Sequence, residues 1–297
     1  MGLFNKYQMD FEVLDVISKG SYGIAYKGRQ KSNNKIVCLK YEKKDIQKNQ
    51  LLYESEIYRI LIGSIGFPRV VWFGDDENHF ILAMDYIGPS IEDLFMLNGE
   101  KFSMKTVLQL AYQMISRLQY IHAKGIVHRD IKPQNFVIDN RKGFNIVYLI
   151  DFGLSTIYFD PITKQHIKYR ESDCIVGNPR YSSIHTQMGI EQTRRDDLES
   201  LAYVLIYLAK GKLPWNNMVA PNFDDKLYLI AQKKMKSSPK EICEGLPSVF
   251  EDLLSIARSL TFDYQPDYTY LRQLFRNCLL SNGYTYDNHY DWDDLKD

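Results

Sequence analysis

His128-Arg129-Asp130-Ile131-Lys132-Pro133-Gln134-Asn135 is the densest cluster of chemistry-bearing side chains, set between a long helical pattern and the apolar run Phe136 to Ile138. An Asp and an Asn five residues apart across a proline-containing loop can serve two parts of one site, the Asp accepting a hydroxyl proton and the Asn ligating a metal. Taken singly, Asp130 reads equally well as a cap and Asn135 as a turn residue, but that leaves Arg129 and Lys132 beside them without explanation. Further on, the run Ile146 to Ile150 delivers Asp151-Phe152-Gly153, a strand-end carboxylate where a phosphate-bound divalent cation would need a hard oxygen ligand.

Three upstream features fit the same chemistry. Lys40 closes a strand in which Ile36, Cys38 and Lys40 share one face and Val37 and Leu39 the other, so its ammonium lies beside apolar neighbours and wants an anion. Glu54 is the candidate partner, on a helical stretch from about Leu51 to Ile62 where Leu51, Glu54, Ile57, Tyr58 and Leu61 share a face. Glu56 is the rival, but two residues is about 200° around a helix, so only one of the pair can face Lys40. Between the first two strands, Ile17-Ser18-Lys19-Gly20-Ser21-Tyr22-Gly23 reads as a hairpin whose glycines let backbone N–H groups approach an anionic ligand. Alone this is ordinary turn chemistry, because Ser18 replaces the first glycine of a G-x-G-x-x-G pattern.

The elements that must carry these residues fall into two halves. The runs Phe11 to Ile17, Ala25 to Gly28, Ile36 to Lys40, Val70 to Phe73 and Phe80 to Met84 predict an antiparallel sheet holding one helix. After Gly88-Pro89, Ser90 to Leu97, Met104 to Ala123, Asp196 to Lys210 and Glu251 to Leu260 carry helical spacing, with Ser103 and Ser248 as N-caps. Asp196 to Lys210 is apolar on nearly every face and is expected at the centre of a helical domain. The acidic stretch Asp287 to Asp297 is expected to be loosely held. The expected fold is therefore α+β, with a small antiparallel-sheet lobe over residues 1–86 and a larger, mainly helical lobe over 87–297.

Composition closes off other classes. Lys+Arg and Asp+Glu both total 37, so the molecule as a whole offers no electrostatic handle for nucleic acid or anionic lipid. The four cysteines, Cys38, Cys174, Cys243 and Cys278, are too dispersed for a C-x-x-C zinc site or a disulfide framework, which points to a reducing cytoplasmic or nuclear setting. The longest apolar run, Leu201 to Ala209, is less than half the ~20 residues needed to span a bilayer. A monomer without nucleic-acid or membrane partners is expected.

Glycine hairpin, strand lysine, helix glutamate, H-R-D-x-K-P-x-N and D-F-G occur here in the order of the protein-kinase signature. The chain resembles the casein kinase I family in particular. Gly88-Pro89-Ser90-Ile91-Glu92-Asp93-Leu94-Phe95 is similar to that family's post-hinge segment and Gly189-Ile190-Glu191-Gln192-Thr193-Arg194-Arg195-Asp196-Asp197-Leu198-Glu199-Ser200 to its distinctive helix start. Lys212-Leu213-Pro214-Trp215 and Pro266-Asp267-Tyr268-Thr269-Tyr270-Leu271-Arg272-Gln273-Leu274-Phe275 are equally close, and the resemblance runs from about Tyr7 onward.

The resemblance implies a Ser/Thr protein kinase using ATP and Mg²⁺ on protein substrates, with a nucleotide-binding pseudokinase scaffold as the alternative. It places Lys40 on the α and β phosphates, paired with Glu54. Asp130 would orient or deprotonate the acceptor hydroxyl beside Lys132, with Asn135 and Asp151 on Mg²⁺. Ile17, Gly20, Gly23, Ala25, Cys38, Met84, Asp85 and Ile87 would line the nucleotide site with Lys40, and Arg180 and Lys226 a substrate anion site. Four departures from the family pattern carry expectations. Asn178 stands for a threonine that braces the catalytic Asp, and its side-chain amide is expected to donate to Asp130 in its place. His185 stands for Asn and is expected to be a buried structural histidine. Asp173 replaces a lysine, and Asn222-Phe223-Asp224-Asp225 a basic run, so the preference for primed substrates is expected to weaken by like-charge repulsion. Ser155, Thr156, Thr163 and Ser172 are candidate phosphorylation sites, although constitutive activity is expected.

Overall fold

Short apolar runs bounded by Gly, Asn and Asp set the first part of the chain into strands. The computed structural model describes residues 10–20, 23–44, 50–140, 143–160, 162–172 and 175–296, with side chains through 294. Expectations that fall on Ser21, Tyr22, Asp173 and Cys174 lie outside the described residues. Two compact units emerge, one running to Gly88 and including Tyr148–Gly153, the other comprising Pro89–Val147 and the chain from Leu154 on.

In the first unit, β1 (Phe11–Gly20), β2 (Gly23–Gln30), β3 (Ile36–Lys43), β4 (Val70–Asp75) and β5 (His79–Asp85) form an antiparallel sheet in the order β1-β2-β3-β5-β4. The two faces of β3 divide as the alternation requires. Val37 and Leu39 are fully buried with Phe11 and Ala83 in one core, packed by Tyr26, Tyr41, Val71 and Trp72. On the other face the register sets Ala25 opposite Lys40 and Cys38 opposite Met84. The helix α1 (Gln50–Ile60) packs on β3, β4 and β5, burying Leu51, Glu54, Ile57 and Tyr58 while Glu56 faces solvent.

The second unit is mainly helical, with α2 (Ile91–Leu97), α3 (Met104–Ala123), α4 (Ile184–Gln187), α5 (Arg194–Lys210), α6 (Phe223–Lys236), α7 (Pro239–Ile242), α8 (Ser248–Ser259) and α9 (Tyr268–Ser281). Ser90 closes a capping box with Asp93 at α2, and Ser103 caps α3 by accepting from the Thr106 N–H. Helix α5 is buried from Arg194 to Leu208 and packs against α3 and α8. It starts two residues before the expected Asp196, because Thr193 and Asp196 form its capping box. Ser248 is not a cap. The extended Pro247 precedes the helix, and Ser248 is its first residue.

The acidic terminus is not loosely held. Tyr290 and Trp292 are 1% and 3% exposed and stack at 4.7 Å. Gln109 donates to the His289 carbonyl, Asn145 to the Asp293 carboxylate, and Asp291 accepts from Ser103. Two aromatic rings set among the carboxylates supply the apolar burial that charge counting misses. Among the described residues no helix is long and apolar enough to cross a membrane.

Candidate active site

In the first unit, the three residues singled out for phosphate chemistry meet around one ammonium. Lys40 Nζ lies 2.7 Å from Glu54 Oε1 and 2.7 Å from Asp151 Oδ1. Burial works against a charge on Lys40, but the Asp151 and Glu54 carboxylates outweigh it and hold its pKa well above the ordinary lysine value. Glu54 is 3% exposed, and burial raises its pKa against the pull of Lys40. The same carboxylate accepts from the Phe152 N–H at 3.2 Å, so one glutamate fixes both the lysine and the backbone after Asp151. Asp151 has φ 68°, a left-handed conformation that costs a non-glycine residue energy, and its N–H donates to the Tyr58 hydroxyl at 3.1 Å. Phe152 is fully buried against Tyr58 and Phe67, which anchors the turn.

The sheet face around Lys40 carries the remaining residues expected at a nucleotide. Ala25, Cys38 and Met84 flank it by register, and burial pushes the Cys38 thiol up to about 11, consistent with an apolar wall. Ile17 and Gly20 lie near the end of β1, and Gly20 pairs with Gly23 across the hairpin. At Gly23 a Cβ would sit 2.0 Å from the Tyr41 carbonyl oxygen, so this approach requires glycine. The Asp85 N–H at the end of β5 is taken by the Arg69 carbonyl, and Ile87 follows two residues later.

The second unit assembles the other cluster. Lys132 Nζ contacts Asp130 Oδ2 at 2.6 Å, and Asn135 Nδ2 donates to the Asp130 carbonyl at 2.8 Å and to Oδ2 at 3.3 Å. With its amide nitrogen committed to Asp130, Asn135 has its oxygen as the hard donor a divalent cation takes. The brace on Asp130 comes from Asn178, but not through the expected group. The backbone N–H of Asn178 donates to Asp130 Oδ1 at 3.0 Å, while the side-chain oxygen turns back to accept from the Arg180 N–H. An Asx turn before proline competes for the side chain and wins. Gly177 makes the approach possible, since a Cβ there would lie 2.3 Å from the Arg129 carbonyl oxygen.

Asp197 is the site residue that sequence reasoning missed. It is 1% exposed at the start of α5, and its carboxylate accepts from the His128 N–H at 2.7 Å, the Arg129 N–H at 2.9 Å and His122 Nε2 at 2.9 Å. Burial alone would raise its pKa, but His122 and His128 pull it below the ordinary aspartate value. It thereby clamps the strained Arg129, at φ 68°, directly before Asp130. Its trace in the sequence is faint, because it is one of three carboxylates, with Asp196 and Glu199, at the start of a helix that turns continuously apolar only after Ser200.

Arg180 and Lys226 line one cleft of about 350 Å³, together with Gln134, Phe223 and Ile230. Lys234 holds the rim from below, fully buried, donating to the Pro179 and Ser182 carbonyls and lying 4.9 and 5.0 Å from the Tyr203 and Trp215 ring centres. Asp224 and Asp225 are exposed in the first turn of α6. His185, the second residue of the four-residue α4, is half-buried and not buried as expected. A family model described as protein kinase domain matches residues 11–279 of the chain.

Proposed function

Since the chain belongs to the protein kinase domain family, we propose that it is a Ser/Thr protein kinase of the casein kinase I type acting on protein substrates. The observation that carries this reading is the Asp130 carboxylate held between Lys132 Nζ and the Asn178 N–H. A carboxylate fixed from two sides can accept or orient the proton of an acceptor hydroxyl, and the adjacent ammonium is placed for the negative charge of the transferring phosphoryl group. The nucleotide face would be Ile17, Gly20, Gly23, Ala25, Cys38, Lys40, Met84, Asp85 and Ile87. Asn135 and Asp151 would each offer an oxygen donor of the kind Mg²⁺ takes, and MgATP when bound would provide the phosphoryl group and the metal's charge. Lys40 would hold phosphate oxygens, with Glu54 keeping it aimed.

In this reading Arg180 and Lys226 receive an anionic side chain of the substrate. Asp224 and Asp225 lie two residues and one residue before Lys226 and oppose that anion, so the advantage of a primed substrate is expected to be small. The test is a peptide set with Ser, Thr or Tyr as acceptor, each with and without a phosphoserine three residues upstream. Transfer to Ser and Thr but not Tyr, with primed and unprimed rates within about tenfold, is the expected outcome. Preferential transfer to Tyr would refute the acceptor class, and a primed advantage above about a hundredfold would refute the weakened anion site.

A further inference from the structure

Helix α1 meets the Asp151-Phe152-Gly153 turn with more than its glutamate. Gln50, Glu54 and Tyr58 are spaced four apart, so their side chains stand one above the other on a single helix face. Each meets one backbone group of the turn. The Tyr58 hydroxyl accepts from the Asp151 N–H at 3.1 Å, Glu54 Oε1 accepts from the Phe152 N–H at 3.2 Å, and Gln50 Nε2 donates to the Gly153 carbonyl at 2.7 Å. Helix and turn run in opposite directions, and three helix positions are matched to three successive residues. Gly153 admits the glutamine, since a Cβ there would lie 2.9 Å from Gln50 Nε2.

The start of α1 is itself fixed from β3. Glu42 lies two residues after Lys40 on that strand and is 3% exposed. Its Oε2 accepts from the Leu51 N–H at 2.9 Å, one of the donors that a helix start leaves unpaired. Lys40 holds Glu54 one turn further along. The helix is thus tied to the sheet on one side and to the turn on the other, all within the first unit.

We propose that Gln50 and the Tyr58 hydroxyl are positioning residues that set the register of α1 against the turn, and through it the placement of Asp151 and Lys40. For its effect on rate this rests on the kinase reading. Asp151 sits at φ 68°, and bonds to all three residues of the turn keep that strained conformation populated. A slip of the helix by one residue turns the whole face by about 100° and breaks the three bonds together, so they act as a unit.

The experiment compares wild type, Gln50→Ala, Tyr58→Phe, their double variant and Glu56→Gln, the last changing an exposed residue of the same helix. The readouts are hydrogen exchange at the Asp151 and Phe152 amides without nucleotide or metal, and kcat and KM for ATP in transfer to casein. Tyr58→Phe keeps the ring that packs on Phe152 and removes only the hydroxyl. In both single variants exchange at the two amides is expected to quicken about tenfold and kcat to fall about fivefold, with KM for ATP within about twofold of wild type. Gln50 bonds the Gly153 carbonyl and not these amides, so Gln50→Ala separates a shared register from one lone bond. The double variant is expected to match the more affected single one, and Glu56→Gln to match wild type. Wild-type exchange in Gln50→Ala, or a double variant whose loss of kcat is the product of the single losses, would overturn the proposal. So would equally quickened exchange in Glu56→Gln, since any change in α1 would then suffice. If Gln50→Ala fails to fold, Gln50→Glu, which keeps the length and removes the donor, decides by the same readouts. If wild type itself transfers no phosphate, the kinase reading fails separately, and amide exchange alone supports or refutes the register.

Discussion

Asp130 is held through main-chain and side-chain donors at once, and the distinction has a measurable consequence. The Asn178 contribution is a backbone N–H, with the side chain spent on the Arg180 turn. Asn178→Ala should therefore keep kcat within about threefold and lose only about 1 kcal/mol of stability from the turn. Stopped transfer in a folded Asn178→Ala protein would show that the side chain, not the backbone, carries the brace. The Lys40 pair obeys a related logic. Glu54 is almost without solvent, so its charge is tolerable only because Lys40 and the Phe152 N–H both point at it. The preference for Glu54 over Glu56 follows from helix geometry, and the exposed Glu56 meets that expectation.

At the level of elements, the start of α5 does two jobs with two neighbouring carboxylates. Asp197 clamps the backbone of His128 and Arg129, while Asp196 caps the helix and accepts from Ser183 Oγ at 2.6 Å and the Thr193 N–H at 2.8 Å. Asp196 is fully buried, and burial raises its pKa to about 7 against the pull of Ser183, Thr193 and Arg195. A folded-state pKa above the unfolded one gives stability that is complete below about pH 4 and is lost as pH rises through about 7. Asp196→Asn keeps an acceptor for Thr193 and removes that titration, so its unfolding free energy should decline less than that of wild type between about pH 4 and 8. Parallel pH profiles from chemical denaturation would contradict this.

Much of the element map was legible from periodicity, because alternation in β3 and three-and-four spacing in α1 and α3 are local signals that burial then selects. What the sequence hid is tertiary. Asp197 and Gln50 reach residues more than 60 positions away, and no local spacing joins them. Asn178 departs from its expectation because its side-chain oxygen closes a turn onto the Arg180 N–H, which leaves the backbone N–H to reach Asp130, a choice no spacing in the sequence decides. The terminus was misread because a carboxylate run outvoted Tyr290 and Trp292, whose stacked rings decide its packing.

On the scale of the whole molecule, the chain divides its chemistry between two compact units. Lys40, Glu54 and Asp151 belong to the unit built on the sheet, and Asp130, Lys132 and Asn135 to the helical one. The Lys40–Glu54–Asp151 contacts lie within the first unit and the Lys132–Asp130–Asn135 contacts within the second. Nucleotide binding and phosphoryl transfer should therefore be separable by mutation. The most direct measurement is transfer from labelled ATP with Mg²⁺ to casein by wild type and Asp130→Asn, with the ATP-induced shift in Tm recorded on both. The account predicts transfer by wild type, a loss of about a hundredfold or more in Asp130→Asn, and an equal Tm shift in the two proteins. A Tm shift in both without transfer in either would contradict it and leave a nucleotide-binding scaffold, and undiminished transfer in Asp130→Asn would remove Asp130 from the reaction.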